Sequence, residues 1–267
     1  MQRSAKTRSN LRGWFVTLTA AAVLTLAIVA VVPAQGTVDF AGENLVYEFG
    51  WSGISAATAE IRVLPVVTDG VPCYKVQMRI KGQPKLDWIW KVRDEIEVVT
   101  TVADLRCKHY LFKQRESSFH LDTEIRHDKA QGLLLGSRTR LRQGEAQPLK
   151  PNHAPDDHYD PLSALIFARR APLSLGKTYQ LKAFDGKRRH DLTYTVMGEE
   201  HIKIGLGEFD AWKIWPRIER SSGADVESKV NKVRKATLWI DKQPPHHVLK
   251  VETEAFVGSI YAELIRK

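Results

Sequence analysis

Cysteine is scarce in this chain: Cys73 and Cys107 are the two in 267 residues. Two cysteines so far apart exclude the paired CxxC motifs of zinc sites and redox proteins. In an oxidising compartment they can form a disulfide, which would contribute roughly 3 to 4 kcal/mol in the chain-entropy model. Otherwise they are buried free thiols. The sequence leaves both alternatives open, because it does not show whether the strands that carry them are neighbours.

Several motifs of enzyme chemistry are also missing. The sequence has no nucleophile elbow and no glycine-rich loop that would cradle phosphates. It has no repeat of fixed period, no low-complexity tract and no heptads, which argues against repeat and coiled-coil architectures. We therefore expect no cofactor and, more generally, a protein that acts without catalysis.

The first 34 residues differ in character from the rest. Four basic residues precede residues 14–32, a run without charge, and Pro33, Ala34 and Gln35 follow it. This order is typical of a secretory signal peptide, with cleavage after Ala34. The run also approaches the roughly 20 residues that span a bilayer, so an uncleaved inner-membrane anchor is the alternative. Either interpretation predicts an exported protein that faces the periplasm, with membrane association through this segment if it stays uncleaved.

Positive charge is modest outside that segment. The formal net charge is +9, and the first 34 residues hold four of the 40 basic residues and none of the 31 acidic ones. The remaining basic residues are not concentrated in one tract. Together with export, this argues against nucleic acid as a partner.

From residue 43 onward the dominant pattern is apolar and polar alternation in short runs separated by turn signals, as at 44–51 and 248–254. It predicts an all-β fold: an antiparallel, strongly curled sheet or open barrel with one short buried helix near 161–170. We expect a single exported domain over 35–267. Its two halves, 43–142 and 173–267, would be joined by a polar, proline-containing loop at 143–157 and by the helix.

The helix boundaries are well specified. Asp160 is a suitable N-cap, Pro161 suits the first helical position, and Arg169 and Arg170 suit the last turn beside the helix dipole, with Pro172 just beyond. The segment between them is apolar on nearly every side. Such a helix most often plugs an open end or covers a concave face of a sheet.

A family resemblance rests on several of these segments. DPLSALIFARR (160–170), GEFDAWKIWP (207–216), TLWID (237–241) and the first hairpin ENLVYEFGWSGISAATAEI (43–61) resemble the bacterial exported proteins grouped as domain of unknown function 3108. The resemblance implies a signal-bearing, β-rich envelope protein and supplies no catalytic residues. At 242–247 this chain departs from the family pattern, since KQPPHH replaces a turn of acidic and basic residues.

One polar cluster offers an alternative with chemistry. Residues 153–160, HAPDDHYD, contain the potential metal ligands or acid–base groups His153, Asp156, Asp157, His158 and Asp160. A metal-assisted hydrolase that uses His153, Asp157 and His158 is therefore one hypothesis. The spacing matches no standard ligand template, and a solvated turn followed by a helix cap explains the same residues.

A second candidate site is apolar with a basic rim. Residues 207–216 are apolar on both faces of a predicted strand, which suggests cover by the helix, a partner, or a lipid-like ligand. The expected ligand-lining residues are Phe209, Trp212, Trp215, Leu162, Leu165 and Phe167. Arg138, Arg140 and Arg142 share one face of another strand and would bind the head group of an anionic amphiphile.

These patterns favour a non-catalytic binding or assembly protein of the cell envelope, with a lipid or an anionic envelope polymer as its ligand. The other hypothesis without catalysis is a structural partner of another envelope protein that binds no small ligand. In that case the apolar strand belongs to the core or to a docking patch.

Overall fold

The computed structural model describes residues 38–221, 236–254 and 258–267. Residues 1–34, which carry the predicted signal or anchor, lie outside these ranges. No helix within them is long and apolar enough to cross a membrane. The described elements are a 3₁₀ turn at Pro84–Leu86, helix α1 at Pro161–Ala168 and fourteen strands: β1 Asn44–Trp51, β2 Ile54–Thr68, β3 Val71–Gly82, β4 Arg93–Thr101, β5 Cys107–Glu116, β6 Phe119–Asp128, β7 Leu133–Arg142, β8 Glu145–Pro155, β9 Thr178–Phe184, β10 Arg189–Ile204, β11 Gly207–Arg220, β12 Ala236–Asp241, β13 Val248–Glu254 and β14 Ser259–Arg266.

All fourteen strands belong to one antiparallel sheet, which confirms the predicted fold class. Its order is β8-β7-β6-β5-β4-β3-β2-β1-β14-β13-β12-β11-β10-β9, so two meanders meet where β1 pairs with β14. The alternation seen in the sequence sets the faces: in β4, Ile96 and Val98 are buried and point to the core, whereas Glu95 is exposed. Strands β1 and β13 have the bounds predicted from the sequence.

The sheet curls until it is nearly closed into a barrel. Tyr159, just after β8, donates its backbone N–H to Lys182 O and accepts from Phe184 N, both at 2.9 Å, and so joins the two edges of the sheet. The turn after β9 packs on the inner face of β7. A Cβ at Gly136 would lie 2.5 Å from Gly186 O, so this approach requires glycine at position 136.

Because neighbouring strands are antiparallel, the connections fall at two ends of the barrel. Connections after even-numbered strands, including helix α1 after β8, lie at one end, which we call the helix end. Turns after odd-numbered strands lie at the other, which we call the basic end because Arg142, Lys187 and Arg188 lie there. The two ends differ in how they treat buried polar groups.

Helix α1 fills the helix end as the sequence predicts. The Asp160 carboxylate accepts hydrogen bonds from Leu162 N (3.0 Å) and Ser163 N (2.9 Å), so it is the N-cap. Every helical residue except Phe167 is buried, and the helix ends at Ala168, two residues before the predicted boundary. Arg169 is the C-cap, but its side chain turns away to bind groups on other strands.

The predicted loop at 143–157 is wrong in its main feature, because residues Glu145–Pro155 form strand β8. This strand lies at the edge of the sheet and carries three prolines, Pro148, Pro151 and Pro155. Proline lacks the N–H that an interior strand must donate, and an edge strand has one side that needs no donor. The same prolines that suggested a loop are therefore compatible with an edge position.

In this structure Cys73 and Cys107 are both buried free thiols, the second of the two alternatives that the sequence leaves open. Cys73 lies opposite Thr101 and Cys107 opposite Thr100, so strand β4 separates them. Strands two positions apart are roughly 10 Å from each other, beyond the reach of a disulfide. Burial raises the pKa of both thiols, and the nearby Asp160 carboxylate raises that of Cys107 further.

Candidate functional site: the basic end

The predicted arginine stripe lies on the inner face of the sheet. Across β5, β6 and β7, Phe112 stands opposite Thr123 and Thr123 opposite Arg138. Residues directly opposite each other share a face, and Thr123 is buried. Arg138 and Arg140, two residues apart on β7, therefore point to the concave side of the barrel, where Arg138 is half-buried and Arg140 remains exposed.

The turn after β9 brings more positive charge to these arginines. It inserts Gly186 against Thr123 and carries Lys187 and Arg188. Burial, together with the charges of Arg188 and Arg140, lowers the pKa of Arg138, while Asp185 opposes the shift. Burial and the charges of Arg188 and Arg138 likewise lower the pKa of Lys187. We call Arg138, Arg140, Lys187 and Arg188 the basic cluster.

Apolar surface adjoins the basic cluster. The Arg140 guanidinium lies 5.8 Å from the centre of the Phe119 ring, within cation–π range. Leu121, opposite Arg140 on β6, is buried, and Phe112 packs against the core. Positive charge and apolar side chains thus share one concave surface.

Two buried carboxyl groups, those of Asp94 and Glu116, also lie at this end. The Oδ1 atom of Asp94, on β4, accepts from Arg115 N at 2.6 Å, and Gln114 donates to Glu116 at 2.5 Å. Burial and the neighbouring Glu116 raise the pKa of Asp94 to about 7. The second oxygen of Asp94 has no hydrogen-bond partner among the described residues. Sequence reasoning missed this pair, because each residue only interrupts an apolar alternation on its own strand.

The predicted apolar lining lies apart from the basic cluster. Leu162 and Leu165 are buried in the core on α1, and the Phe167 ring packs 5.2 Å from Tyr159. Lys242 lies 5.2 Å over Trp212, at the helix end.

Phe209 lies near the end of the last strand, with Lys267 Nζ 5.0 Å from its ring. Trp215 stands opposite Thr195 on the outer face and is 38 % exposed. The structure thus distributes the six apolar residues between the core, the helix end and the outer surface. It brings only the arginines to a shared concave site, where Arg142, exposed at the end of β7, follows Arg140.

The HAPDDHYD residues are likewise dispersed. His158 is buried, with Nδ1 2.7 Å from Asp157, and Lys182 bridges the same carboxylate at 2.9 Å. Asp156 instead faces His127 at 3.4 Å, and Asp160 caps α1. His153 stands on β8 opposite Leu135. In the part of the chain that the structure describes, no three His, Cys, Asp or Glu side chains are arranged to hold a metal.

The helix end has its own polar network. Arg169, with 5 % of its side chain exposed, makes a bidentate contact with Glu43 at 2.5 and 2.7 Å and donates to the carbonyls of Pro245 and His246. Its guanidinium lies 4.5 Å over Phe40. His247 Nε2 is 3.7 Å from Glu43, and both line a surface cavity of about 380 Å³. Burial and the charge of Arg169 lower the pKa of His247 to about 4.

Three solved structures are similar to this chain, and the first of them supports the fold. A β-barrel-like protein of domain of unknown function DUF1849 from Brucella abortus is 11 % identical, with 86 % of this chain and 98 % of that chain covered and a TM-score of 0.50. A protein from Bacteroides fragilis described as exported with a YmcC-like fold is 9 % identical, with 90 % and 99 % covered and a TM-score of 0.31. A protein from Parabacteroides distasonis described as a lipoprotein is 11 % identical, with 89 % and 98 % covered and a TM-score of 0.32.

A search of curated proteins finds no significant match. A family model, in contrast, matches residues 45–265, which include every strand from β2 to β13 and nearly all of β1 and β14. This confirms the resemblance predicted from the turn and packing motifs. The chain therefore belongs to DUF3108, a family of proteins of unknown function.

Proposed function

We propose that this protein is a non-catalytic binding protein of the bacterial cell envelope, and that its basic cluster binds the anionic head group of an amphiphilic, lipid-like molecule. The observation that carries the proposal is the convergence of Arg138, Arg140, Lys187 and Arg188 on one concave surface beside Phe119. Residues from two distant segments supply these charges.

The Asp185 carboxylate offsets only part of the positive charge of this cluster, and the remaining excess is costly. Like charges at short range repel, and partial burial removes the water that would screen them. A phosphate or carboxylate group would offset both costs, and a guanidinium group binds either one with two parallel hydrogen bonds. The basic cluster is therefore matched to an anion.

The neighbouring apolar side chains favour an amphiphile over a simple anion as the ligand. Phe119, Leu121 and Phe112 border the cluster on the same face. An amphiphile would place its charged group at the arginines and its apolar part against the partly exposed rings of Phe119 and Phe112. The envelope location is supported by the N-terminal pattern of a basic region, an apolar run and a small residue before the predicted cleavage position.

The test is native mass spectrometry of the protein isolated from its own envelope fraction. We expect an added mass of lipid size on the wild-type protein and its loss when Arg138, Arg140 and Arg142 are all replaced by Ala. The matched control replaces Arg62, Arg79 and Arg126, three exposed arginines whose salt bridges lie on the strand surface, and removes the same charge. The control should keep the ligand.

Two outcomes would contradict the proposal. A wild-type protein that carries no added mass would favour docking of another envelope protein instead of a small ligand. Equal retention by the triple arginine variant and its control would show that the basic cluster is not the head-group site.

A further inference from the structure

Trp88 is held in solvent by a braced turn at the basic end. Its side chain is 81 % exposed, the highest value among the large hydrophobic residues described. The turn that carries it is not loose: Arg93 clamps Asp87 at 2.7 and 3.2 Å, and Ile89 N and Trp90 N both donate to Leu86 O. Trp90, two residues on, packs against the core. The chain thus fixes one tryptophan inward and the other outward.

Other exposed apolar residues lie beside this turn. Ile89 is 43 % exposed, and Ile54 and Trp51, at the turn between β1 and β2, are 54 % and 43 % exposed. Gln83 joins the two turns, because its N–H donates to Ala56 O at 2.8 Å and its side chain to Ser55 at 3.1 Å. We call Trp51, Ile54, Trp88 and Ile89 the tryptophan tip. A cluster of exposed apolar residues on a rigid support marks an interaction surface.

Positive charge flanks the tryptophan tip. Lys85 and Lys91 are exposed on the same turn, and Lys91 O accepts from Ser117 N at 2.7 Å. Ser117 lies in the turn after β5, next to Phe119, over which Arg140 is placed. The turn that carries the tip therefore contacts the turn after β5, beside which Arg140 lies over Phe119.

We propose that the tryptophan tip inserts into the interfacial layer of a membrane that contains anionic lipid. Tryptophan is favoured where an apolar ring meets lipid head groups, and nearby lysine and arginine side chains are attracted to anionic head groups. Exposed tryptophan and isoleucine side chains with flanking cations fit an anionic lipid surface better than a neutral lipid surface. This inference rests on the proposed function, because docking at this end would present the basic cluster to its lipid-like ligand.

The experiment attaches an environment-sensitive fluorophore at one of two positions on the full chain. Ile89→Cys takes the label at the tip and Leu175→Cys takes it at the helix end, where Leu175 is 71 % exposed. The native Cys73 and Cys107 are 1 % and 2 % exposed and stay unlabelled. Each protein is mixed with vesicles of phosphatidylcholine and phosphatidylglycerol that carry a lipid-bound quencher. The readout is position-specific, so it does not depend on whether residues 1–34 also bind the vesicle.

We expect blue-shifted, quenched emission from the probe at position 89 and unchanged emission from the probe at position 175. Adding Trp88→Ala to the Ile89→Cys protein should abolish most of the quenching, and so should vesicles of phosphatidylcholine alone. Equal quenching at both positions, or none at position 89, would overturn the docking inference. If docking fails while mass spectrometry still finds an arginine-dependent lipid, the proposed function stands without it. If the lipid is absent while docking succeeds, the proposed function fails and the membrane contact remains.

Discussion

The two ends of the barrel handle buried polar groups in opposite ways. At the helix end, Asp160 caps α1 and Arg169 binds Glu43 and two backbone carbonyls, so charges meet opposite charges or backbone dipoles. At the basic end, Arg138 lies near the cations Arg140 and Arg188 as well as the anion Asp185, and Asp94 is buried near Glu116. The helix end pairs most of these charges, with His247 beside Arg169 as an exception, whereas the basic end keeps like charges close together, a cost that the proposed anionic ligand would offset.

The largest expected effect is at the helix end. Replacing Arg169 by Met would leave the carboxylate of Glu43, whose side chain is 11 % exposed, without its bidentate partner, which costs about 3 to 5 kcal/mol of unfolding free energy. Urea unfolding at neutral pH measures the loss. The control is Arg217→Met, whose pair with Glu219 is largely exposed and is worth at most about 1 kcal/mol. Similar losses in both variants would remove the distinction between this network and an ordinary surface pair.

The second prediction concerns Asp94, whose replacement should raise the unfolding free energy instead of lowering it. Its pKa in the folded protein is about 7, above the ordinary 3.8, so the unfolded chain ionises first and stability falls as pH rises from 4 to 7. Asp94→Asn keeps the acceptor for Arg115 N and removes the charge. We expect it to stabilise the protein near pH 8 by up to about 4 kcal/mol, at 1.4 kcal/mol for each pH unit.

The stability gained from Asp94→Asn should become steadily smaller as pH falls from 7 towards 4. Near pH 4 the folded wild-type protein is protonated at Asp94 and is therefore as neutral at this site as the variant. Urea unfolding at several pH values follows this narrowing. A constant gain across the range, or a loss near pH 8, would show that Asp94 is not held in its neutral form by burial.

His247 should give the helix end a separate response to acid. Its pKa is lowered from 6.5 to about 4, so the unfolded chain binds a proton first as pH falls. This residue therefore contributes stability above pH 6.5 and loses about 3 kcal/mol of it between pH 6.5 and 4. A His247→Gln variant should lack that acid-sensitive part in urea unfolding followed against pH. An unchanged acid limb in the variant would place the titrating group elsewhere.

The smallest expected change in stability is the most informative for function. Exposed and half-exposed side chains contribute little, so replacing Arg138, Arg140 and Arg142 by Ala should alter the unfolding free energy by about 1 kcal/mol or less. The same variant is expected to lose the bound amphiphile. A large loss of stability would mean that the arginines hold the fold together, and the contrast between the two ends would fail.

Local patterns in the sequence predicted much of the fold. The alternation at 44–51 and 248–254 matches β1 and β13, and the Asp160 cap is formed as predicted. Each of these depends on residues only a few positions apart. The loop predicted at 143–157 was wrong, because proline breaks interior strands but not an edge strand, and the edge position of β8 depends on the whole sheet.

The candidate site was predicted only in part. The face shared by Arg138, Arg140 and Arg142 follows from the period of a strand, and the register places Arg138 and Arg140 on the concave side. The period of a strand does not predict that these arginines converge with Lys187 and Arg188. It also does not predict that the apolar residues Phe209 and Trp215 lie apart from the cluster. Sequence alternation gives two faces without showing which face is concave.

By itself, the sequence determined the β-rich class, the helix and its cap, and the family, since these rest on local periodicity and short motifs. Only the tertiary structure decided which strands are neighbours, that Cys73 and Cys107 are separated by β4, and that two distant basic segments meet at one end. The physical reason is the closure of the sheet. Curling brings together residues far apart in the chain, and no local pattern records which of them will meet.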